Sequence, residues 1–413
     1  MQKYIHLFGG NASHVTVGGQ SAGAGSALLQ SIASVENESL ALFSNVIAAS
    51  PYLPYVHAYN DSTPSGWYQI FAENAGCGGL KNDPRGNASN TFECLLNKSS
   101  EVLQYANAVV SASGPYGSWA FVPVWEGEFV RIPPSQQLKD GNVTGKRVLS
   151  GNVANEGPAF VPQNITSEND LVSWLRLAYP SFSANEIPDV LRYYPTYKDD
   201  TISVGIGRYS TDGIGGTTAL TTSAFATGYQ QMANNIYAEA TFVCPSYWLV
   251  GAFAPTVSNE GGGKAGYKYQ YSIPAAQHGA DLDAVYGSSD ERGLGPDLSG
   301  AFQLSWANFI MHNSPSIPVK YANGRALGVG NTGAERLAEW PSWRRNGDRA
   351  MINWNQTGGE RVQASVVQGA PQVVLYQGRW LRNWLNVHDA WDWEGGRGER
   401  CEFWSNMTSK GSI

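Results

Sequence analysis

The run His14-Val15-Thr16-Val17-Gly18-Gly19-Gln20-Ser21-Ala22-Gly23-Ala24-Gly25-Ser26 constrains the fold more than any other stretch of the chain. A β-rich segment, His14 to Val17, meets a Gly-Gln-Ser-Ala-Gly turn, and small helix-compatible residues continue from Ala22 to Ser34. That order predicts a strand, a sharp turn and a helix, with Ser21 lifted off the tip of a sheet. The turn strains the serine's backbone and crowds strand against helix, which asks for glycine at 19 and 23, where a Cβ would clash. Because the helix starts one residue later, the Ala22 N–H and the helix dipole point to where negative charge on a substrate oxygen would form.

Short strands recur after this turn, separated by long helical stretches. Asn45 to Ser50 is an apolar run before Pro51, and Lys146 to Val153 is a strand that ends in Ala154-Asn155-Glu156-Gly157. Tyr267 to Ile273 alternates aromatic and polar residues and stops at Pro274, just before Gln277-His278-Gly279. Helical texture covers Tyr4 to Phe8, Ser65 to Ala108, Glu168 to Tyr179, Ala184 to Tyr194, Thr221 to Thr241 and Phe302 to His312. This alternation predicts an α/β fold with a mainly parallel sheet covered on both faces.

A serine is a poor nucleophile unless a base takes its proton, and the base needs an orienting group. Of the six histidines, His6 and His14 precede the turn too closely to return to it, and His57, His312 and His388 read as helical or loop residues. His278 alone follows a strand in a Gly-flanked loop, where α/β sheets carry reactive groups. Glu156 has the matching address at the end of the 146–153 strand. Asp281 and Asp283 are rivals for the orienting role, read instead as capping the helix that follows. The order Ser21, Glu156, His278 is the serine, acid, histidine order of α/β-hydrolases.

Composition narrows the setting. Net charge is −7 with no Lys/Arg cluster, so nucleic acid is not an expected partner, and no run of eighteen apolar residues is present to span a membrane. Only 15% of the 413 residues are charged, and nine Asn-x-Ser/Thr sites, at Asn11, Asn37, Asn60, Asn87, Asn97, Asn142, Asn164, Asn355 and Asn406, offer N-glycans as cover in a secreted protein. The segment Met1 to His6 does not read as a signal peptide. Four cysteines, Cys77, Cys94, Cys244 and Cys401, without a C-x-x-C, argue for disulfides over a metal site. A Cys77 to Cys94 bridge would staple a short loop and stabilise by roughly 3 kcal/mol in the chain-entropy model.

These motifs together resemble the type-B carboxylesterase and lipase family, which includes the cholinesterases. Phe8-Gly9-Gly10-Asn11 and Val15 to Ser26 resemble its F-G-G-D-P…G-x-S-A-G-A-x-S, with Asn for Asp. Phe121-Val122-Pro123-Val124-Trp125-Glu126-Gly127-Glu128-Phe129 resembles F-x-P-x-x-D-G-x-F, with Glu126 for Asp. Gly151 to Gly157 is similar to the segment supplying the acid, and His278-Gly279-Ala280-Asp281 to the segment supplying the base. The resemblance implies an α/β-hydrolase fold, a Ser21, His278 and Glu156 triad, ester hydrolysis through an acyl-enzyme, no cofactor or metal, and a small-molecule or lipid ester as substrate. It implies an acyl pocket shaped by Trp119 and Phe121, and pairs Cys244 with Cys401 and Cys77 with Cys94. Gln20 stands where cholinesterases carry glutamate, which argues against cationic choline esters. The family's N-terminal strands, lid loop and Gly-Gly oxyanion segment have no counterpart here. The expectation is therefore a truncated single domain over 1–413, with Ala22 alone of the oxyanion donors, derived from a secreted parent. A catalytically silent relative that acts as a binding module is the alternative.

Overall fold

Near-continuous burial along the central strands sets the architecture. In the computed structural model, which describes residues 1–33, 42–78, 88–194, 222–254, 263–287, 293–322, 339–344 and 347–409, six strands form one sheet. They are β1 (Thr16–Gln20), β2 (Asn45–Ala49), β3 (Arg147–Val153), β4 (Ala265–Tyr271), β5 (Ala350–Ser365) and β6 (Gln372–Asp389), side by side in chain order. β1 to β5 are parallel, and β6 closes the far edge antiparallel to β5. Val46, Ala48, Val148 and Met351 face one apolar layer, while Ile47, Leu149, Tyr269 and Ile352 face the other. Both faces are thus buried, as a parallel sheet requires.

The helices are α1 (Ala22–Ile32), α2 (Ser62–Asn74), α3 (Ala88–Leu96), α4 (Ser100–Ser113), α5 (Pro134–Lys139), α6 (Glu168–Ala178), α7 (Glu186–Tyr193), α8 (Gly228–Ala238), α9 (Cys244–Phe253), α10 (Ala280–Tyr286), α11 (Pro296–His312), α12 (Val319–Ala322) and α13 (Trp393–Ser409). α1 and α9 cover the first face with α13, and α10 and α11 cover the second. Cys77 is bonded to Cys94, and Cys244 to Cys401, which ties α9 to α13. Among the described residues no helix is long and apolar enough to cross a membrane.

Several expectations need correction. The segment before β1 is a 3-10 turn, Ile5–Phe8, not the tail of an α-helix. The helix read from Thr221 to Thr241 starts at Gly228, and Glu239–Val243 winds as a π turn into α9; residue 221 lies outside the described residues. β5 and β6 had no counterpart in the sequence reading, and His388 sits on β6, not in a helix or loop. These strands pair to form a ribbon whose base is buried and whose far half, beyond Gln356, is largely exposed. Among the sequons, Asn355 is 1% exposed inside β5 and has no room for a glycan. Asn406 is half-buried, while Asn11, Asn60, Asn97, Asn142 and Asn164 are exposed; Asn37 and Asn87 lie outside the described residues.

The glycine requirement at the turn is also revised. A Cβ on Gly19 would lie 2.3 Å from the Gly23 carbonyl carbon, as expected, but one on Gly23 would meet nothing within 4 Å. The second tight contact belongs to Gly25, whose Cβ would lie 2.1 Å from the Tyr52 carbonyl oxygen. Gly25→Ala is therefore expected to cost about 1–3 kcal/mol in urea unfolding, with Gly23→Ala close to neutral. Equal losses for the two would show that the approach of α1 to the segment after β2 is not limiting.

Candidate active site

Ser21 occupies the corner between β1 and α1 with φ 56 and ψ −124, a region that residues with a Cβ rarely adopt. Neighbouring backbone holds it there. Its N–H donates to the Ala49 carbonyl at 3.0 Å, and its own carbonyl accepts from Gly25 at 2.9 Å and Tyr52 at 3.1 Å. Ala22, the first residue of α1, is exposed beside it.

Two more strand ends bring their side chains to this corner. His278, between β4 and α10, places Nε2 2.9 Å from Ser21 Oγ and Nδ1 2.5 Å from Glu156 Oε2. Glu156, just past β3, is wholly buried; its Oε1 accepts from the Val153 N–H at 2.8 Å and the Ser50 hydroxyl at 2.6 Å. With Nδ1–H donating to the carboxylate, Nε2 is left as the acceptor for the Ser21 hydroxyl. Burial works to lower the His278 pKa, but the Glu156 carboxylate opposes it, and the imidazole ends above its ordinary 6.5. The rings of Phe160 and Phe242, centred 5.1 and 4.5 Å away, flank the imidazole. Such a chain of contacts can raise the nucleophilicity of an alcohol.

The other expected residues separate into those that join the site and those that do not. The Gln20 side-chain nitrogen lies 3.2 Å from His278 Nε2, so its amide meets the imidazole directly. Trp119 lines a cavity of about 150 Å³ together with Tyr52, Tyr55, Trp67 and Tyr237. Phe121 packs edge-on against Phe71 at 5.2 Å and is not among the residues lining it. Asp281 does not cap α10, whose N-cap is Gly279; it is buried and accepts from the Tyr269 hydroxyl at 2.8 Å. Among the described residues there is no cluster of three His, Cys, Asp or Glu side chains able to hold a metal. Sequence reasoning passed over Ser50, whose one signal was its place at the end of the apolar 45–50 run.

A serine on a strained strand-to-helix corner, with an imidazole and a carboxylate from later strand ends of a mainly parallel sheet, defines the α/β-hydrolase class of fold. Residues 1–366 match the carboxylesterase family, and the chain belongs to that family. It is 31% identical over 211 residues to Lipase 2 of Geotrichum candidum, spanning 49% of this chain and 36% of that protein. It is 24% identical over 353 residues to Carboxylesterase patB of Penicillium expansum, covering 81% and 53% of the two chains. Acetylcholinesterase of Danio rerio is 25% identical over 346 residues, with 77% and 53% covered. The chain thus spans about half, or less, of the length of these curated relatives. The crystal structure of Aspergillus niger EstA superimposes with a TM-score of 0.66 at 18% identity, covering 100% of this chain and 67% of that one, a likeness of fold.

Ser50→Ala would leave the buried Glu156 Oε1 with the Val153 amide alone. Because hydrogen bonds to a charged group are worth about 1.5–3 kcal/mol, reaction of Ser21 with a fluorophosphonate probe is expected to slow by about tenfold or more. An unchanged rate would mean that Val153 and His278 suffice to hold the carboxylate.

Proposed function

We propose that this chain forms a single α/β-hydrolase domain over 1–413 that hydrolyses carboxylic esters through an acyl-enzyme. The observation carrying the reading is the unbroken contact series Ser21 Oγ, His278 Nε2, His278 Nδ1, Glu156 Oε2, at 2.9 and 2.5 Å. Ser21 Oγ attacks the ester carbonyl carbon while Nε2 takes its proton, and Glu156 stabilises the resulting imidazolium. The oxyanion forms beside the Ala22 N–H, at the positive end of α1. Collapse breaks the bond to the leaving alcohol, which takes the proton from Nε2, and leaves Ser21 acylated. Water repeats the sequence to release the acid.

The aromatic cavity lined by Trp119, Tyr52 and Tyr55 adjoins the corner through Tyr52, whose N–H donates to the Ser21 carbonyl, and supports a small-molecule ester whose acyl part is apolar. The neutral Gln20 amide facing the imidazole supports an uncharged substrate over a cationic choline ester. Two disulfides and five sequons exposed among the described residues, together with relatives that include Secreted lipase 4 of Gibberella zeae, support an extracellular, N-glycosylated protein.

Ser21→Ala is expected to abolish both hydrolysis of a short-chain nitrophenyl ester and fluorophosphonate labelling. Hydrolysis by the unaltered chain should fall as pH drops through the raised His278 value, because only neutral imidazole can accept the proton. A protein that acts only through its surface would take no label at any pH, and that outcome would overturn the assignment.

A further inference from the structure

The outer half of the ribbon formed by β5 and β6 is apolar, yet the core of the molecule makes no use of it. β5 is last paired to β4 at Trp354, opposite Tyr271, and then runs on to Ser365 with β6 beside it from Gln372. The ribbon therefore leaves the sheet at its carboxyl edge, where the loop after β4 brings His278 to Ser21. Among the described residues, none of Val362, Val366, Val367, Val373, Val374 and Leu375 belongs to the two buried apolar layers or packs against them.

From body to tip the ribbon changes character. Arg382 stands opposite Thr357, Arg379 and Trp380 lie in the bulge that follows, and Arg361 stands opposite Tyr376. The Trp380 ring is left in solvent, with the residue 76% exposed. Beyond this belt, from Val362 to Leu375, no residue is charged. Polar groups at the turn answer one another: the Ser365 hydroxyl donates to the Ala370 carbonyl at 2.8 Å, the Ala370 N–H donates to the Val367 carbonyl at 3.1 Å, and Pro371 has no N–H to leave unpaired. Val367, at the turn, is 47% exposed.

We infer that the outer half of this ribbon is a docking arm for an anionic lipid surface. A belt of arginines with an exposed tryptophan, followed by an uncharged apolar tip, repeats the order of headgroup and acyl layers. The belt sets three arginines against Glu360 on a chain whose net charge is −7, so a negative surface attracts the arm and repels the rest of the molecule. In a pair of copies joined arm to arm, the same arginines would face one another, which disfavours a second copy as occupant. A two-stranded ribbon also leaves backbone groups unpaired along its outer edges, and these are costly in hydrocarbon. The tip therefore reaches only the boundary between headgroups and acyl chains, roughly 5–10 Å deep. On the triad assignment proposed above, an ester carried in that lipid is the substrate brought near the edge that holds Ser21; docking itself needs nothing from the triad.

The test is co-sedimentation of the full chain with vesicles, either of phosphatidylcholine alone or of phosphatidylcholine with one-fifth phosphatidylglycerol. The unaltered chain should sediment with the anionic vesicles, come off them in high salt, and show amides of 362–375 protected from hydrogen exchange while bound. Val367→Asp, which puts a charge at the turn, should weaken binding by about tenfold or more, and Arg379→Gln by about fivefold. Both positions are exposed, so circular dichroism should show the fold unaltered. Unchanged binding in both variants, or no sedimentation of the unaltered chain, would overturn the inference. A dimer that forms without lipid and is dissolved by Val367→Asp would overturn it too, because the arm would then be covered by a second copy. Should Val367→Asp fail to fold, unchanged binding in Arg379→Gln would overturn it alone. A chain that sediments but takes no fluorophosphonate label would strike at the triad assignment and leave the docking arm standing.

Discussion

Everything in the site depends on keeping a carboxylate wholly out of water. Glu156 is fully buried, and an ion-sized charge withdrawn from solvent costs several kcal/mol unless its oxygens are satisfied. Three groups satisfy them, each from a different part of the sheet: Ser50 from the end of β2, the Val153 amide from the end of β3, and His278 from beyond β4. The carboxylate thereby fixes where three strand ends stop relative to one another. Ser21, whose N–H is bonded to the Ala49 carbonyl beside Ser50, is fixed to the same frame. Orientation of the imidazole follows from where the buried charge must sit.

A second buried charge does comparable work at some distance from the corner. Burial favours the neutral form of Glu239, but Arg400 and Arg397, at 2.7 and 3.1 Å, hold its carboxyl below the usual range. Tyr194 donates to it as well, at 2.6 Å, and Trp404 donates to Tyr194 at 2.7 Å. Arg397 also reaches Gln270 of β4 at 2.7 Å, so α13 is bound to the sheet through polar groups and to α9 through Cys401. The π turn at Glu239–Val243 carries this carboxylate, and the regular winding read over 221–241 is lost there.

The strand-turn-helix around Ser21 was legible because its requirement is local: a crowded glycine at 19, a β-rich run and a helix start are contiguous in sequence. The addresses of Glu156 and His278 were legible for a related reason, since each follows directly on a recognisable strand. What escaped depends on contacts between distant segments. Gly25 is tight because the Tyr52 carbonyl comes to rest on it, and no spacing near residue 25 announces that approach. Asp281 looked like a helix cap until β4 supplied the Tyr269 hydroxyl. β5 escaped because its buried half includes Asn353, Asn355 and Gln356, polar residues that hide the alternation expected of a strand. Phe121, placed beside the substrate by family likeness, turned to Phe71 of α2.

The ribbon of β5 and β6 divides the chain in an unusual way. Its tip, between Ser365 and Gln372, lies past the exposed half, whereas Ala350 to Gln356 remain zipped to Asn383 to Asp389 in the body of the sheet. Cys244 precedes that tip and Cys401 follows it. A protease that nicked the tip would thus sever the polypeptide without releasing either piece, because the sulfur bridge spans the cut and the inner ladder still clasps both sides. Denaturing electrophoresis would then count one molecule without reductant and two with it.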